Sequence, residues 1–184
     1  MRDTAFHVPA TDLSRFTTSY RPAPADAGSV GGPPGTGGLT VVDEPSGQWS
    51  TEPVFPSGAG GLVSTADDWL AFGRMLLAGG ACPGGRLLSQ ESVRMMTTNY
   101  LDGATRDSAR VFLQGQGWGF GGSVDVEAID AWNVPGRYGW VGGSGTAAHV
   151  VPAAGLVTIL LTQVELPGPA PTPIMRDFWS AALR

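Results

Sequence analysis

The chain has 184 residues, enough apolar material for a core and too little charge for a disordered polypeptide. Apolar residues make up 42% of it and charged residues 15%, whereas disordered chains combine low hydrophobicity with high net charge. The 28 glycines and 15 prolines indicate abundant turns and argue against an all-helical bundle. We therefore expect one globular domain.

The charged residues exclude several classes of protein. The net charge is −5, and all 11 basic residues are arginines that form no basic run. The sequence therefore predicts neither a nucleic-acid surface nor a patch for anionic membranes. Without lysine, the chain has no Schiff-base lysine, no phosphate-loop lysine and no lysine that activates a serine.

Cysteine and histidine are scarce. One cysteine and two histidines predict no internal disulfide and no metal site, and we expect no cofactor. The opening segment lacks the apolar stretch of a signal peptide. The longest apolar run, residues 156–161, is far too short to span a bilayer. These features favour a soluble, cytoplasmic chain.

Taken in chain order, the sequence predicts helices first and then an antiparallel sheet. The predicted elements are a short helix over 9–15, a mobile Gly/Pro-rich loop over 21–38, a strand over 38–42, helices over 66–78 and 90–97, strands over 118–126, 138–141, 146–151 and 156–164, and a last helix over 174–183. Thr65 caps the clearest helix, because two aspartates follow in its first turn. The order is typical of an α+β architecture, an antiparallel sheet with flanking helices.

Three local motifs have weak functional interpretations. Residues 117–122 match G-x-G-x-x-G, but a strand-like alternation follows where a dinucleotide site needs a helix. His149 lies in an apolar strand without any G-x-S-x-G motif in the chain, which favours a structural histidine with satisfied hydrogen bonds over a triad base. Cys82 lies in a glycine loop, and nothing in the sequence supports a Cys–His pair.

The strand that starts at Tyr138 contains more glycine than strands usually tolerate. Four glycines lie between Tyr138 and Thr146, and each weakens a strand. One interpretation is close packing of a helix over this strand. The other is a ligand along the strand edge, with backbone N–H groups that polarise a carbonyl. The composition of the segment does not separate the two interpretations.

Seven short segments along nearly the whole chain form one characteristic set: residues 3–6, 56–70, 76–80, 88–96, 117–121, 139–143 and 155–163. In this order they resemble the serine β-lactamase-related family of class C β-lactamases, penicillin-binding proteins and esterases. The resemblance implies the C-terminal portion of a β-lactamase/transpeptidase-like fold, with residues 1–184 as part of one domain. It also implies hydrolysis of an ester, an amide or a β-lactam through an acyl-enzyme.

The resemblance also assigns candidate site residues. Catalysis in the family rests on S-x-x-K, on Y-x-N or an equivalent, and on K-T-G or a variant of it on the strand beside the cleft. Trp140, Val141 and Gly142 occupy the third motif in its esterase-like Trp form. Gly143 would then supply one oxyanion-hole N–H, while the nucleophile supplies the other.

The other two motifs are missing. S-x-x-K cannot occur without lysine, and none of the 3 tyrosines begins Y-x-N. In the family both motifs belong to the N-terminal part. We therefore expect the C-terminal half of a serine hydrolase, without a catalytic residue of its own and inactive alone. The alternatives are a non-catalytic ligand-binding module and one subunit of a split hydrolase.

The expected partners follow from the same interpretation. The intact protein would take a small ester or amide, and neither nucleic acid nor a membrane. The last strand, residues 156–164, is apolar and uncharged, so an uncovered edge there would be prone to association. We expect the missing N-terminal half, or a second copy of the chain, to cover it.

Overall fold

A computed structural model describes residues 1–23 and 38–184, where short elements precede a longer antiparallel sheet. The α-helices are α1 (Ala66–Leu77), α2 (Gln90–Met96), α3 (Gly103–Ser108), α4 (Arg110–Leu113) and α5 (Pro173–Ala182). The strands are β1 (Ser19–Pro22), β2 (Leu39–Asp43), β3 (Ala81–Cys82), β4 (Gly85–Arg86), β5 (Gln116–Trp118), β6 (Ser123–Asp125), β7 (Tyr138–Gly142), β8 (Thr146–Val151) and β9 (Leu156–Leu161). Short 3-10 helices cover Ala10–Arg15, Gln48–Ser50 and Pro152–Ala154.

The combination of helices with an antiparallel sheet confirms the predicted α+β class. The predicted strand over 146–151 coincides with β8, and α1 and α2 each end one residue before the predicted end. Of the predicted mobile loop, Arg21 and Pro22 belong to β1 instead, and residues 24–37 lie outside the described ranges. No described helix is long and apolar enough to cross a membrane.

The main sheet separates two apolar cores. Its strand order is β5-β6-β7-β8-β9, with antiparallel neighbours throughout. Because side chains alternate along a strand, Tyr138 and Val150 pack on the core with α1, whereas Val141 and Ala147 pack on the core with α5. The described chain thus forms three layers, with the sheet between helices.

Helix α1 begins and packs as its sequence predicts. The Thr65 side chain accepts a hydrogen bond from the Asp68 N–H at 3.3 Å, which satisfies one of the free donors of the first turn. Gly73 lies on the buried face, where a Cβ would come within 2.7 Å of Val157 Cγ1 on β9. The glycine therefore allows helix and strand to approach closely.

The first residues of the chain are held against the start of α1. The Asp68 carboxylate accepts hydrogen bonds from Arg2 N, Asp3 N and Thr4 Oγ1 at 2.8–2.9 Å. Burial acts to raise the pKa of Asp68, but these hydrogen bonds outweigh it and hold the pKa below its ordinary value. A backbone bridge between Ala5 and Val63 extends the contact.

The prediction of one strand over 118–126 is wrong, because a tight turn divides the segment into β5 and β6. Gly119 N donates to Gly122 O at 2.8 Å, and Gly121 has a φ of +80°. The nearby chain explains the glycines: a Cβ on Gly119 would lie 2.2 Å from the Met96 carbonyl oxygen. The alternating pattern in the sequence therefore covers two strands and the turn between them.

Strand β9 is an edge strand within the described residues. It pairs with β8 on one side, from Leu156 to Leu161, and these two strands end the order of the main sheet. The predicted strand ends too late, because Val164 makes an isolated parallel bridge to Tyr20 instead of continuing the ladder. The other edge of β9 has no strand partner among the described residues.

Candidate functional site

One edge of β7 is paired with β6 as far as Gly139 and is open beyond it. Before this residue β6 pairs with β7, up to the pair Ser123–Gly139. After it, residues 140–142 pair only with β8 within the described ranges. Backbone groups alternate between the two sides of a strand, and Arg137 O accepts from Asp125 N of β6. Val141, four residues later, therefore directs its N–H and C=O toward the open edge.

The hairpin after β7 places one free backbone donor next to this edge. Gly143 is exposed, and its carbonyl accepts a hydrogen bond from Leu166 N at 2.8 Å. Its N–H donates to no partner in the described part of the chain. Gly142 O accepts from Gly145 N at 3.0 Å, which closes the turn. The predicted site residues Trp140, Val141, Gly142 and Gly143 are therefore contiguous along one open strand end.

The glycines of this strand separate the two interpretations left open by composition. A Cβ on Gly139 would lie 2.1 Å from Ala148 O, and one on Gly142 would lie 2.4 Å from Thr146 Oγ1. Both contacts are with β8, so close packing of a helix does not explain these two glycines. A Cβ on Gly143 would meet nothing within 4 Å. The sheet explains two of the glycines, and the space beside Gly143 is open.

An aromatic cluster adjoins the open edge. The ring centroid of Trp140 lies 4.6 Å from that of Trp118 and 5.0 Å from that of Phe112. Phe112 is 44% exposed, and Trp140 is half-buried. The cluster therefore presents a partly exposed apolar surface. Nothing in the spacing of residues 112, 118 and 140 indicated that α4, β5 and β7 bring these rings together.

A buried ion pair lies behind the strand, and sequence analysis missed it. Arg137 donates from Nε to Asp125 Oδ2 at 2.9 Å and from Nη2 to Oδ1 at 3.3 Å. Gln116 Nε2 and Val134 N also donate to this carboxylate, each at 2.8 Å. Both charged side chains are almost completely buried. Such a pair needs further hydrogen bonds to offset desolvation. The two extra donors supply them to the carboxylate, whereas Arg137 Nη1 has no partner in the described residues.

Two tryptophans enclose the guanidinium. The Cζ atom of Arg137 lies 4.9 Å from the ring centroid of Trp132 and 4.7 Å from that of Trp179 on α5. These distances fit cation–π contacts. Burial lowers the pKa of Arg137, although Asp125 acts to raise it. The cluster therefore ties β6 and the start of β7 to α5.

His149 is structural, as the sequence favoured, but its hydrogen bonds are not all satisfied. Its ring lies 5.1 Å from that of Trp179 in an edge-on contact, and it is 2% exposed. Nδ1 has no hydrogen-bond partner in the described residues. Cys82 is exposed on β3, which gives no support to a Cys–His pair. The G-x-G-x-x-G segment is followed by β6, so the dinucleotide interpretation fails.

Burial of His149 predicts a pH dependence of stability. Burial, reinforced by the positive charge of Arg137, holds the pKa of His149 well below its ordinary value of 6.5. The unfolded chain therefore binds a proton at pH values where the native chain does not. This contribution to stability is complete above about pH 6.5 and is lost as the pH falls toward the native pKa.

Urea unfolding of the wild type and of His149→Phe, at about pH 7.5 and about pH 5.5, measures this contribution. We expect the wild type to lose more free energy of unfolding between the two pH values than the variant does. Equal losses in both proteins would show that another group controls the acid sensitivity.

No group of at least three His, Cys, Asp or Glu side chains in the described ranges is arranged to hold a metal ion. The described residues of the site present backbone donors and an aromatic surface. An unpartnered N–H at the end of an open strand is suited to a hydrogen bond with an oxyanion.

Comparisons with known proteins agree with this architecture. Two proteins of Mycobacterium tuberculosis, the uncharacterized protein MT1414 and Protein Rv1367c, are each 38% identical to the chain, over 89% of this chain and 40% of the relative. The chain thus spans less than half the length of these curated relatives.

Solved structures share the fold. EstCE1, described as a hydrolase with promiscuous acyltransferase activity, superposes with a TM-score of 0.69 and 26% identity, over 98% of this chain and 47% of that one. Simvastatin synthase (LovD) from Aspergillus terreus gives a TM-score of 0.68 and 22% identity, over 98% and 44% of the respective chains. The Beta-lactamase family model matches residues 1–177. Since that match covers almost the whole chain, this protein belongs to the beta-lactamase family.

Proposed function

We propose that this chain forms one wall of the active-site cleft of a serine hydrolase that acts on carboxylic esters through an acyl-enzyme. The observation that carries the proposal is the Gly143 N–H, which is exposed and unpartnered beside the open edge of β7. Membership of the beta-lactamase family supports the acyl-transfer chemistry, and so does the similarity to EstCE1.

The proposed reaction proceeds in two acyl transfers. A serine Oγ attacks the ester carbonyl, and the Gly143 N–H donates a hydrogen bond to the oxyanion that forms. Expulsion of the alkoxide, which takes up a proton, leaves the acyl-enzyme, and attack by water then releases the acid and the serine. Trp140 and Val141 line the path of the substrate. The chain has no lysine, so we propose that another segment or polypeptide supplies the S-x-x-K serine and lysine.

The aromatic cluster favours an ester over a β-lactam. Phe112, Trp118 and Trp140 offer an apolar surface beside the proposed reaction centre, whereas β-lactam antibiotics carry a carboxylate that needs a cationic partner. An uncharged acyl or alcohol group therefore fits this apolar surface better.

The test uses the full-length polypeptide encoded by the reading frame that contains this chain. We expect p-nitrophenyl butyrate to be hydrolysed with a much higher kcat/KM than a chromogenic cephalosporin, and the 184-residue chain alone to remain at background. A full-length protein that is inactive on both substrates, or stoichiometric labelling of the isolated chain by a fluorophosphonate, would contradict the proposal.

We also propose that the rest of the hydrolase domain covers the free edge of β9. Burial along the strand is intermediate at most positions, and Leu161 is 50% exposed, so an uncovered edge offers unpaired backbone groups between apolar side chains. The isolated chain is therefore expected to associate at micromolar concentration, as measured by sedimentation velocity.

A matched variant tests whether the edge causes the association. Leu161→Lys adds a charge at the exposed end of β9, a position where natural edge strands use lysine to prevent pairing. We expect this variant to sediment as a smaller species than the wild-type chain at the same concentration. A wild-type chain that is already a stable monomer would refute the proposed pairing.

A further inference from the structure

A small internal cavity lies behind the open edge of β7, between the sheet and α5. Its volume is about 10 Å³, which is roughly the space that one water molecule needs. Phe112 and Pro169 are exposed on its outer side, whereas Trp132, His149 and Trp179 on its inner side are buried. The cavity is therefore sized for a single small guest.

The three buried residues all carry polar atoms without a partner in the described ranges. These atoms are Trp132 Nε1, Trp179 Nε1 and His149 Nδ1, on side chains that are at most 3% exposed. An indole N–H can only donate, whereas a neutral imidazole nitrogen without a proton accepts. Buried polar atoms without partners are rare, since nothing offsets the loss of their bonds to water. Three of them, on residues that line one cavity, match a guest that accepts two hydrogen bonds and donates one to His149 Nδ1 in its unprotonated form.

The rings lie close to one another on the wall of the cavity. The ring centroid of Trp179 lies 5.2 Å from that of Trp132 and 5.1 Å from that of His149. Trp179 therefore adjoins both of the other rings. The central position of Trp179 makes α5 part of the site, together with β8 and the connection between β6 and β7.

The charge of the surroundings selects a neutral guest. The only buried cation of the cluster, Arg137, is paired with Asp125 through Nε and Nη2, while its Nη1 has no partner in the described residues. An anion in the cavity would place a second negative charge near that carboxylate, inside the protein, where repulsion is weakly screened. A neutral molecule meets no such penalty.

We propose that this cavity binds one water molecule, which accepts hydrogen bonds from the indole N–H groups of Trp132 and Trp179 and donates one to His149 Nδ1. Water has the required size, the required neutral charge and the required two acceptor sites. It links α5 to the sheet directly behind Trp140 and Val141, and so it helps to hold β7 in place. The inference is independent of the reaction proposed above.

A crystal structure of the full-length protein tests the site directly. We expect one compact electron-density peak at hydrogen-bond distance, about 2.7–3.2 Å, from Trp132 Nε1, Trp179 Nε1 and His149 Nδ1. Absence of the peak at a resolution where other buried waters are visible would overturn the proposal. So would an anomalous peak at this place after a bromide soak, which would identify an anion.

A second test measures what the N–H groups contribute. Site-specific replacement of Trp179 by benzothienylalanine keeps the shape of the ring and exchanges N–H for sulfur. Loss of a donor to a bound water is expected to lower the Tm of the full-length protein by about 2–4 °C. The same replacement at the partly exposed Trp69 is the control and is expected to leave the Tm unchanged. An unchanged or higher Tm at Trp179 would show an unsatisfied donor, and so no water.

Discussion

The substitution Gly143→Pro in the full-length protein is expected to lower kcat by about 10²–10³-fold while the protein stays folded. Proline removes the backbone N–H, and loss of a single oxyanion-hole donor has an effect of this size in other acyl-transfer enzymes. Gly143 O keeps its hydrogen bond from Leu166 N, because a proline retains the carbonyl. Initial rates with p-nitrophenyl butyrate, together with a melting curve, measure the effect.

The matched control is Gly143→Ala. A Cβ at this position meets no atom within 4 Å, and the N–H remains, so we expect kcat within a few-fold of the wild type. KM should change little in either variant, because the hydrogen bond strengthens mainly in the transition state. A Gly143→Pro variant that keeps the kcat of the wild type would show that the N–H does not face the reacting carbonyl. An equally large loss in both would indicate that the hairpin itself had been disturbed.

Sequence reasoning succeeded where one local signal decides the structure. The Thr65 cap and the apolar face behind it predict α1 to within one residue. Strand β8 coincides with its prediction because four of its six residues are apolar. The family resemblance was equally productive, since short glycine-rich segments in a fixed order identify the family. It also directed attention to residues 140–143, which the structure places on one open strand end.

The features that the sequence did not predict depend on contacts between residues that are far apart in the chain. The hairpin between β5 and β6 depends on the close approach of Met96 to Gly119, and a pattern of alternating residues contains no information about that contact. The aromatic cluster joins Phe112 and Trp140, which are far apart in sequence. Neither feature has a local signal, so both required the fold.

The buried pair of Asp125 and Arg137 is the clearest case of this limit. Residue patterns place charged side chains on the outside of a protein, yet this carboxylate and this guanidinium are 1% and 2% exposed. The contacts with Gln116, Trp132 and Trp179 help to offset the desolvation of the pair. The pair can therefore be recognised only after the strands and α5 have been assembled.

Arg137→Met is consequently expected to lower the free energy of unfolding by about 3–5 kcal/mol, the usual effect of leaving one buried charge without its partner. The methionine fills much of the space between Trp132 and Trp179, so the loss comes mainly from the stranded carboxylate of Asp125 and from the lost cation–π contacts. Urea unfolding followed by tryptophan fluorescence measures it, because Trp132 and Trp179 lie against the substituted side chain.

A second substitution separates the stranded charge from the lost packing. Adding Asp125→Asn to Arg137→Met removes the negative charge and keeps a side-chain oxygen that accepts from Val134 N, which now donates to Asp125 Oδ2 at 2.8 Å. The double variant is therefore expected to be more stable than Arg137→Met alone, although each substitution by itself destabilises the wild type. A double variant that loses the sum of the two single effects would show that the residues act independently. In that case something other than the ion pair would join β7 to α5.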